Sequence, residues 1–318
     1  MIDASVLRER IRGSLFGAAI GDALGSAFEF VGSSEIEHAI GANVTTDYLP
    51  AIPMSLLAPR APGNPTDDTA MTLALVEALV EGDPRSPAAL LNGMVERLRR
   101  RGGPVADMFW NGGPGGACVS MLRAAENGAG PFERISAEAG GNGAAMRAHP
   151  CGAFSDRIFV AELASMQARL SHPEPAAVAS AQVVALIVHQ ALYDGILASN
   201  IPPEITNPKM LTAWNMMHSD MQRTGRLPRQ LLDVDMAGWN TVAAAHAIAM
   251  MYADEPALAV GLAAASGADT DTVASIVGGM LGALHGIAAF PDRWIEKLQG
   301  RDLIERAAQT LFDRVQAF

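Results

Sequence analysis

Two files of small residues, each with a member at every fourth position, constrain the fold of this chain more than any other feature. One file is Gly13, Gly17, Gly21 and Gly25, and the other is Ala274, Gly278, Gly282 and Gly286. A spacing of four places residues on one face of an α-helix, where each glycine costs about 1 kcal/mol relative to alanine. A face without side chains lets a second backbone approach closely, which can offset that cost. We therefore predict two helices in the centre of a tightly packed bundle.

The rest of the chain is dominated by apolar residues at helical spacing, and alternating β-branched runs are nearly absent. This pattern predicts an all-α fold. The predicted helices span residues 5–25, 67–82, 86–101, 116–128, 156–171, 174–198, 207–223, 239–253, 255–266, 270–288 and 292–316. Residues 32–65 and 102–117 are rich in glycine and proline, which predicts ordered loops. Neither resembles an interdomain linker, so we predict one domain over residues 1–318.

Composition excludes several classes of protein. Hydrophobic residues make up 49% and charged residues 18% of the chain, which excludes disorder. The net charge is −11 and Arg99–Arg101 is the one basic cluster, so nucleic acid is not an expected partner, except as a modified substrate. Cys118 and Cys151 are too few for a disulfide scaffold. The apolar stretch at 276–290 is shorter than the ~20 residues of a membrane span, and no signal peptide is evident. We expect a cytoplasmic protein without a membrane partner.

Two acidic motifs begin apolar helices. They are Thr66-Asp67-Asp68-Thr69 and Asp269-Thr270-Asp271-Thr272. Acids and threonines also cap helix N-termini, so two capped helices are the alternative interpretation. Four aspartates and their neighbouring hydroxyls form a hard oxygen ligand set, which suits Mg²⁺, Mn²⁺ or Ca²⁺. Since clustered carboxylates repel one another without a cation, the motifs indicate a site that can hold two metal ions about 3.5–4 Å apart.

A third acidic segment lies at the end of the first glycine-rich helix. Asp22 is within that helix, and Glu29 follows it where the chain turns. Each acid alone is more typical of a surface or capping position. A carboxylate beside a metal site can act as a general base toward water, so both interpretations stay open for these two acids.

Together these segments resemble the ADP-ribosylglycohydrolase family. The matching segments are residues 17–25 with Glu29, residues 66–69, residues 141–147 and residues 267–274. Four blocks in the family's order are far more specific than one acidic motif. The resemblance implies a compact, orthogonal multi-helix bundle, a site for two Mg²⁺ or Mn²⁺ ions, and cleavage of the bond between C1″ of ADP-ribose and an acceptor. Ala268 departs from the family, in which many members have glycine.

The resemblance also assigns residues to roles. The implied metal ligands are Thr66, Asp67, Asp68, Asp269, Asp271 and Thr272, and the implied catalytic residues are Glu29, Asp68 and Asp269. A glycine loop before a helix can bind phosphate through backbone N–H groups, although a plain loop is the alternative for this segment. The expected substrate-binding residues are Gly112, Gly113, Gly115, Gly116, Gly141, Asn142, Gly143 and His172.

Competing functions make different demands on the sequence. A prenyl-diphosphate synthase would need a third aspartate at Met71, which argues against that class. A non-catalytic ADP-ribose-binding relative would be expected to lose metal ligands, and all six are present. Arginine of a modified protein is the expected acceptor. Serine-linked, small-molecule and nucleic-acid-linked ADP-ribose are the alternatives, because specificity resides in loops 30–65 and 200–235.

Overall fold

Helices form almost the whole framework of the computed structural model, which describes residues 2–52, 61–99, 104–224 and 235–318. In chain order they are α1 (Ala4–Gly25), α2 (Ser33–Ile40), α3 (Asp67–Glu81), α4 (Pro87–Arg99), α5 (Pro104–Asn111), α6 (Gly116–Glu126), α7 (Arg157–Arg169), α8 (Pro175–Asp194), α9 (Pro208–Thr224), α10 (Gly238–Met251), α11 (Pro256–Ala264), α12 (Thr270–His285), α13 (Asp292–Lys297) and α14 (Arg301–Ala317). Short 3₁₀ turns lie at Asn142–Ala144, His149–Ala153 and Ile287–Ala289. Two isolated bridges are the only β-type pairing in the described ranges. The all-α prediction is confirmed.

Helices α1 and α12 run antiparallel, and their backbones approach each other closely. A Cβ atom added to Gly13 would lie 2.3 Å from the carbonyl oxygen of Gly282. At the other end, a Cβ added to Gly25 would lie 2.5 Å from the Cα atom of Asp271. Real Cβ atoms do not come this close to a backbone, so glycine is what permits the contact. The predicted role of the two files is confirmed.

The start of α3 is attached to α1 by one buried carboxylate. Asp22 accepts hydrogen bonds from Thr66 N at 2.9 Å and from Thr69 N at 3.0 Å. The Thr69 hydroxyl donates to the same carboxylate at 2.5 Å. Since these bonds satisfy orphan N–H groups of the helix N-terminus, they fix the first turn of α3 against the end of α1. The hydrogen bonds of Asp22 therefore position the acidic motif at 66–69.

Three parts of the predicted pattern differ from the structure. Helices α2 and α5 lie in segments predicted as loops, because an eight-residue helix is too short to show a strong apolar period. The segment predicted as one helix at 292–316 is two helices, separated at Gly300, whose φ is +76°. The first of them ends where Leu298 adopts an extended backbone, with ψ of 122°, and the left-handed Gly300 is the N-cap residue of the second. The end of the helix predicted at 86–101, and parts of both predicted loops, lie outside the described residues.

One described helix, α8, is long and apolar enough to cross a membrane by length and composition. Of its most apolar window, 78% is buried inside the fold. Such burial is also typical of the core helix of a globular protein, and α8 packs against α7, α10 and α12.

The contact between α1 and α12 predicts a large cost for a single methyl group. A Cβ added to Gly17 would lie 2.1 Å from the carbonyl oxygen of Gly278. We expect Gly17→Ala to lower the free energy of unfolding by at least ~2 kcal/mol, because overpacking outweighs the gain of about 1 kcal/mol in helix propensity. Gly130→Ala is the control, since its nearest neighbour would be a side-chain atom at 3.5 Å. Urea unfolding measures both, and a wild-type midpoint for Gly17→Ala would contradict the packing argument.

Candidate active site

Three buried carboxylates converge where the end of α1 meets the start of α12. Oxygen atoms of Glu29, Asp269 and Asp271 all lie within 4.8 Å of one another. Glu29 follows the end of α1, Asp269 is the N-cap residue of α12, and Asp271 is in its first turn. The close packing of the two helices therefore sets the distance between these acids.

The first acidic motif reaches the same place from α3. The Thr66 hydroxyl donates to Asp271 Oδ2 at 3.3 Å, and the Thr272 hydroxyl donates to Asp68 Oδ2 at 3.4 Å. These reciprocal contacts join two helix N-termini that are about 200 residues apart in sequence. The structure thus brings together the acidic motifs that the sequence indicated as one site.

Burial makes this cluster electrostatically unfavourable as it stands. Burial raises the pKa of Asp68 well above its usual range, and the nearby charges of Asp22 and Asp67 raise it further. The pKa of Asp271 is also well above its usual range, first through burial and then through Glu29 and Asp269. Asp68 Oδ1 is buried and has no hydrogen-bond partner among the residues that the structure describes.

Divalent cations fit this set of donors. Carboxylate and hydroxyl oxygens are the ligands that Mg²⁺ and Mn²⁺ prefer. A cation would also compensate the buried negative charge that raises the pKa of Asp68 and Asp271. Glu29, Asp269 and Asp271 are the described trio with the closest ligand atoms, and Asp68 has an oxygen available beside them.

A cleft of about 230 Å³ opens onto the carboxylates. Its lining combines acids with glycines and small or apolar residues. The predicted site residues that line it are Glu29, Asp67, Asp68, Gly113, Gly115, Gly116, Gly141, Asn142, Gly143, His172, Asp269, Asp271 and Thr272. Thr66 and Gly112 do not contribute to the lining. A Cβ on Gly112 would lie 2.5 Å from Asp67 N, so this glycine packs beneath the start of α3.

The glycine loop presents the N-terminus of α6 to the cleft. Gly115 is the N-cap residue and Gly116 is the first residue of the helix. No atom lies within 4 Å of a Cβ added at either position, and no side chain caps the helix. The free N–H groups and the helix dipole of such a terminus favour an anion.

The turn at 141–143 is held from two sides. Gly141 forms an antiparallel bridge with Ala237, just before α10. The Asn142 amide donates to Asp269 Oδ2 at 2.8 Å and to the Thr241 hydroxyl at 3.2 Å. Asn142 thus connects the turn to the carboxylate cluster and orients Asp269.

His172 lies on the same side of the cleft as this turn. Its Nδ1 atom is 2.8 Å from the Ser171 hydroxyl oxygen. Burial lowers the pKa of His172 to about 3, and the charge of Arg147 lowers it further. The imidazole is therefore neutral at physiological pH.

Sequence reasoning did not assign several residues that shape the cleft. Phe30, Ala117, Cys118, Met146 and Met236 also line it. The apolar residues carry no chemical signature, so only the fold could place them here.

A strained backbone pair joins the Glu29 segment to the second acidic motif. Phe30 N donates to the carbonyl of Ala268 at 2.7 Å, and Ala268 N donates to the carbonyl of Val31 at 3.1 Å. Phe30 and Ala268 both have a left-handed backbone, with φ of 62° and 59°. That conformation costs about 1–2 kcal/mol for a residue with a Cβ. The unusual alanine at 268 was the sequence signal of this geometry.

Known proteins resemble the chain over nearly its whole length. A family model described as ADP-ribosylglycohydrolase matches residues 3–317. An ADP-ribosylarginine hydrolase of Pseudomonas putida (strain GB-1) is 28% identical over 96% of this chain and 78% of its own length. An ADP-ribosyl-dinitrogen reductase glycohydrolase of Rhodospirillum rubrum is 24% identical over 98% and 97%. A solved structure of an ADP-ribosylglycohydrolase-related protein complex shares the fold, with a TM-score of 0.70 at 23% identity, over 98% of this chain and 99% of that one.

The raised pKa values predict that metal binding strengthens with pH. In the metal-free protein the pKa of both Asp68 and Asp271 lies above the unfolded value, so their contribution to stability is greatest below about pH 4 and is lost as pH rises through the folded pKa. A ligand carboxyl must release its proton. The gain in Tm from ~5 mM Mg²⁺ should therefore be small at about pH 5 and larger at about pH 8.

Thermal unfolding followed by circular dichroism measures this gain. Asp68→Asn, which removes one of the two high-pKa carboxyls, should reduce both the gain and its dependence on pH. An equal gain at both pH values in the wild-type protein would show that these carboxyls do not bind the ion.

Proposed function

The chain belongs to the ADP-ribosylglycohydrolase family, whose members hydrolyse glycosidic bonds, and we propose that it uses two divalent cations to release ADP-ribose from arginine side chains of proteins. The observation that carries this proposal is the convergence of both acidic motifs with Glu29 on one cleft. The acids of that cleft are suited to cations, and the N-terminus of α6 in the same cleft is suited to an anionic ligand.

The proposed ligands of the cations are the four motif aspartates and two hydroxyls. They are Thr66, Asp67, Asp68, Asp269, Asp271 and Thr272. When bound, the cations would supply positive charge that orients the ribose hydroxyls and increases the acidity of water. The two hydroxyls already contact the carboxylates of the opposite motif, which holds the set together before a cation arrives.

Glu29 is the proposed catalytic acid–base residue. Glycosidic cleavage passes through an oxocarbenium-like state at the sugar carbon, and water attacks as the bond to the acceptor breaks. Glu29 lines the cleft beside Asp269 and Asp271, where its carboxylate can accept the proton of the attacking water. The electron pair of the broken bond leaves with the guanidine nitrogen, and the proton passes to that nitrogen, so Glu29 returns to its ionised state. Its anionic charge also favours the developing positive charge on the sugar.

Asp68 and Asp269 complete the proposed catalytic set by orientation. Asp269 is fixed by the Asn142 amide, and Asp68 is fixed through one oxygen by Thr272. Each carboxylate thus has a defined direction toward the cleft. Reactive groups held in fixed geometry lower the entropy that the reaction must lose.

We propose that the diphosphate binds beside the glycines that line the cleft. The N-terminus of α6, at Gly115 and Gly116, offers backbone N–H groups without adding a charged side chain. Gly113 and the turn at 141–143 also line the cleft. Without side chains at these positions, a ligand can approach the backbone directly.

Arginine as the acceptor is supported by the name of a relative. The Pseudomonas putida protein, at 28% identity, is an ADP-ribosylarginine hydrolase. The proposed specificity loops, at 30–65 and 200–235, include residues 53–60 and 225–234, which lie outside the described residues. The acceptor therefore has to be determined with substrates.

The test is a panel of ADP-ribosylated arginine, serine, small-molecule and nucleic-acid substrates with Mg²⁺ or Mn²⁺. The arginine-linked substrate should be hydrolysed fastest, and a chelator should abolish the reaction. Asp269→Asn should lower turnover by at least ~100-fold, because the site loses both a ligand and an oriented carboxylate. Its metal-free stability should be equal to or above that of wild type, since one source of repulsion is gone.

The matched control is Asp302→Asn, a change at an exposed aspartate in the first turn of α14. It should keep wild-type turnover. Fastest hydrolysis of serine-linked ADP-ribose would overturn the proposed acceptor. Binding of ADP-ribose without hydrolysis of any substrate would instead indicate a non-catalytic ADP-ribose-binding protein.

A further inference from the structure

A buried arginine behind the cleft has no role in the chemistry described so far. The side chain of Arg147 is fully buried, and no carboxylate contacts it among the described residues. Its guanidinium instead donates to neutral acceptors. They are Gln167 Oε1 at 2.8 Å, the Gly143 carbonyl at 2.7 Å, the Gln167 carbonyl at 3.1 Å, the Ser171 hydroxyl at 2.7 Å and the Cys118 sulfur at 3.7 Å.

These contacts determine the direction of the Ser171 hydroxyl. A guanidinium only donates hydrogen bonds, so Ser171 Oγ accepts from Arg147. The other partner of Oγ within the described residues is His172 Nδ1, at 2.8 Å. Ser171 is fully buried, and its proton would lack an acceptor if Nδ1 carried a hydrogen as well. The hydroxyl therefore donates to Nδ1.

The proton of a neutral His172 is then on Nε2. Gly141 and Gly143 flank this atom, since a Cβ added to either would lie 3.5 Å and 3.1 Å from it. Without those side chains, the Nε2 edge borders the cleft that His172 lines. His172 consequently presents a hydrogen-bond donor to a ligand.

Burial, and then the charge of Arg147, lower the pKa of His172 and keep it neutral. Arg147 is the cation beside it, and Cys118 lies next to Arg147 with a thiol pKa that burial raises to about 11. The carboxylates lie among the other residues that line the cleft, and none makes a hydrogen bond to His172 within the described part of the chain. When Nδ1 of a neutral imidazole accepts a hydrogen bond, Nε2 carries the proton and can only donate.

We propose that Arg147 is a positioning residue that fixes His172, through Ser171, as the Nε2–H tautomer, so that His172 donates a hydrogen bond to an oxygen atom of the substrate. The identification of that oxygen with ADP-ribose rests on the proposed function. The tautomer itself does not, because it follows from contacts within the protein. Arg147 also fixes the cleft wall directly, since it holds the carbonyl of Gly143.

The first experiment measures the tautomer without any substrate. In the full-length protein labelled with ¹⁵N at histidine, long-range correlation spectra should show His172 with its proton on Nε2 alone from about pH 8 down to about pH 5. Ser171→Ala removes the donor to Nδ1 and leaves Arg147 its other partners. It should give a measurable Nδ1–H population. A wild-type proton on Nδ1, or an unchanged spectrum in Ser171→Ala, would overturn the proposal.

The second experiment measures the consequence for the ligand. In Ser171→Ala, KM and the dissociation constant of ADP-ribose should rise about five- to tenfold, because one oriented hydrogen bond is weakened. The kcat should change by less than about threefold. Ser171→Thr retains the hydroxyl and should restore both the tautomer and the affinity. Ser14→Ala, at a buried serine on α1 away from the cleft, is the control for a general loss of packing.

The two experiments separate this proposal from the proposed function. If the tautomer behaves as expected but no ADP-ribosylated substrate is hydrolysed, the proposed function fails and the positioning role of Arg147 stands. If hydrolysis occurs but affinity is unchanged in Ser171→Ala, the positioning role fails and the proposed function stands.

Discussion

The antiparallel contact of α1 with α12 is the constraint on which the rest of the structure depends. Because glycine replaces side chains along both faces, the two backbones come together closely enough to place Glu29 beside Asp269 and Asp271. Asp22, one turn before the end of α1, then holds the first turn of α3 and adds Asp68 to the cluster. The contact between these two helices, which small residues at every fourth position permit, thus brings together acids from distant parts of the chain.

This assembly concentrates negative charge in a buried place, and the buried carboxylates differ in their hydrogen-bond partners. Asp22 is satisfied by N–H and hydroxyl donors of α3, so it needs no cation. Asp68 and Asp271 also accept hydrogen bonds, from Thr272 and Thr66, but Asp68 Oδ1 has no partner among the described residues. Burial raises the pKa of both carboxyls, and neighbouring acids raise it further. A site that is unfavourable when empty binds a cation strongly, because the cation removes repulsion as well as adding attraction. In the same cleft, neutral donors (glycine N–H groups and the His172 imidazole) suit an anion without a charge that would pair with the acids.

Much of this was predictable from sequence, for identifiable reasons. Spacing alone predicts that both glycine-rich helices are closely packed in the centre of the bundle, but not that they contact each other. The repeated Thr and Asp pattern indicates that two helix starts share a site. The sequence does not predict helices α2 and α5, because their periods are short. The single helix predicted at 292–316 is wrong because Leu298 is extended and Gly300 is left-handed. The hydrogen bonds from Arg147 through Ser171 to His172 could not be predicted. They join three polar residues whose separation in sequence carries no period, and only the fold shows that no carboxylate reaches the arginine among the described residues.

If the contact between α1 and α12 builds a binding site for divalent cations, anomalous diffraction from crystals soaked in Mn²⁺ should locate the ions. We expect two manganese peaks about 3.5–4 Å apart, coordinated by Asp67, Asp68, Asp269 and Asp271. Crystals of Asp68→Asn should lose at least one of the two peaks. Manganese peaks located only away from the cleft, or none in the wild-type protein, would contradict the claim, since the acids would then be buried without the cation that justifies their arrangement.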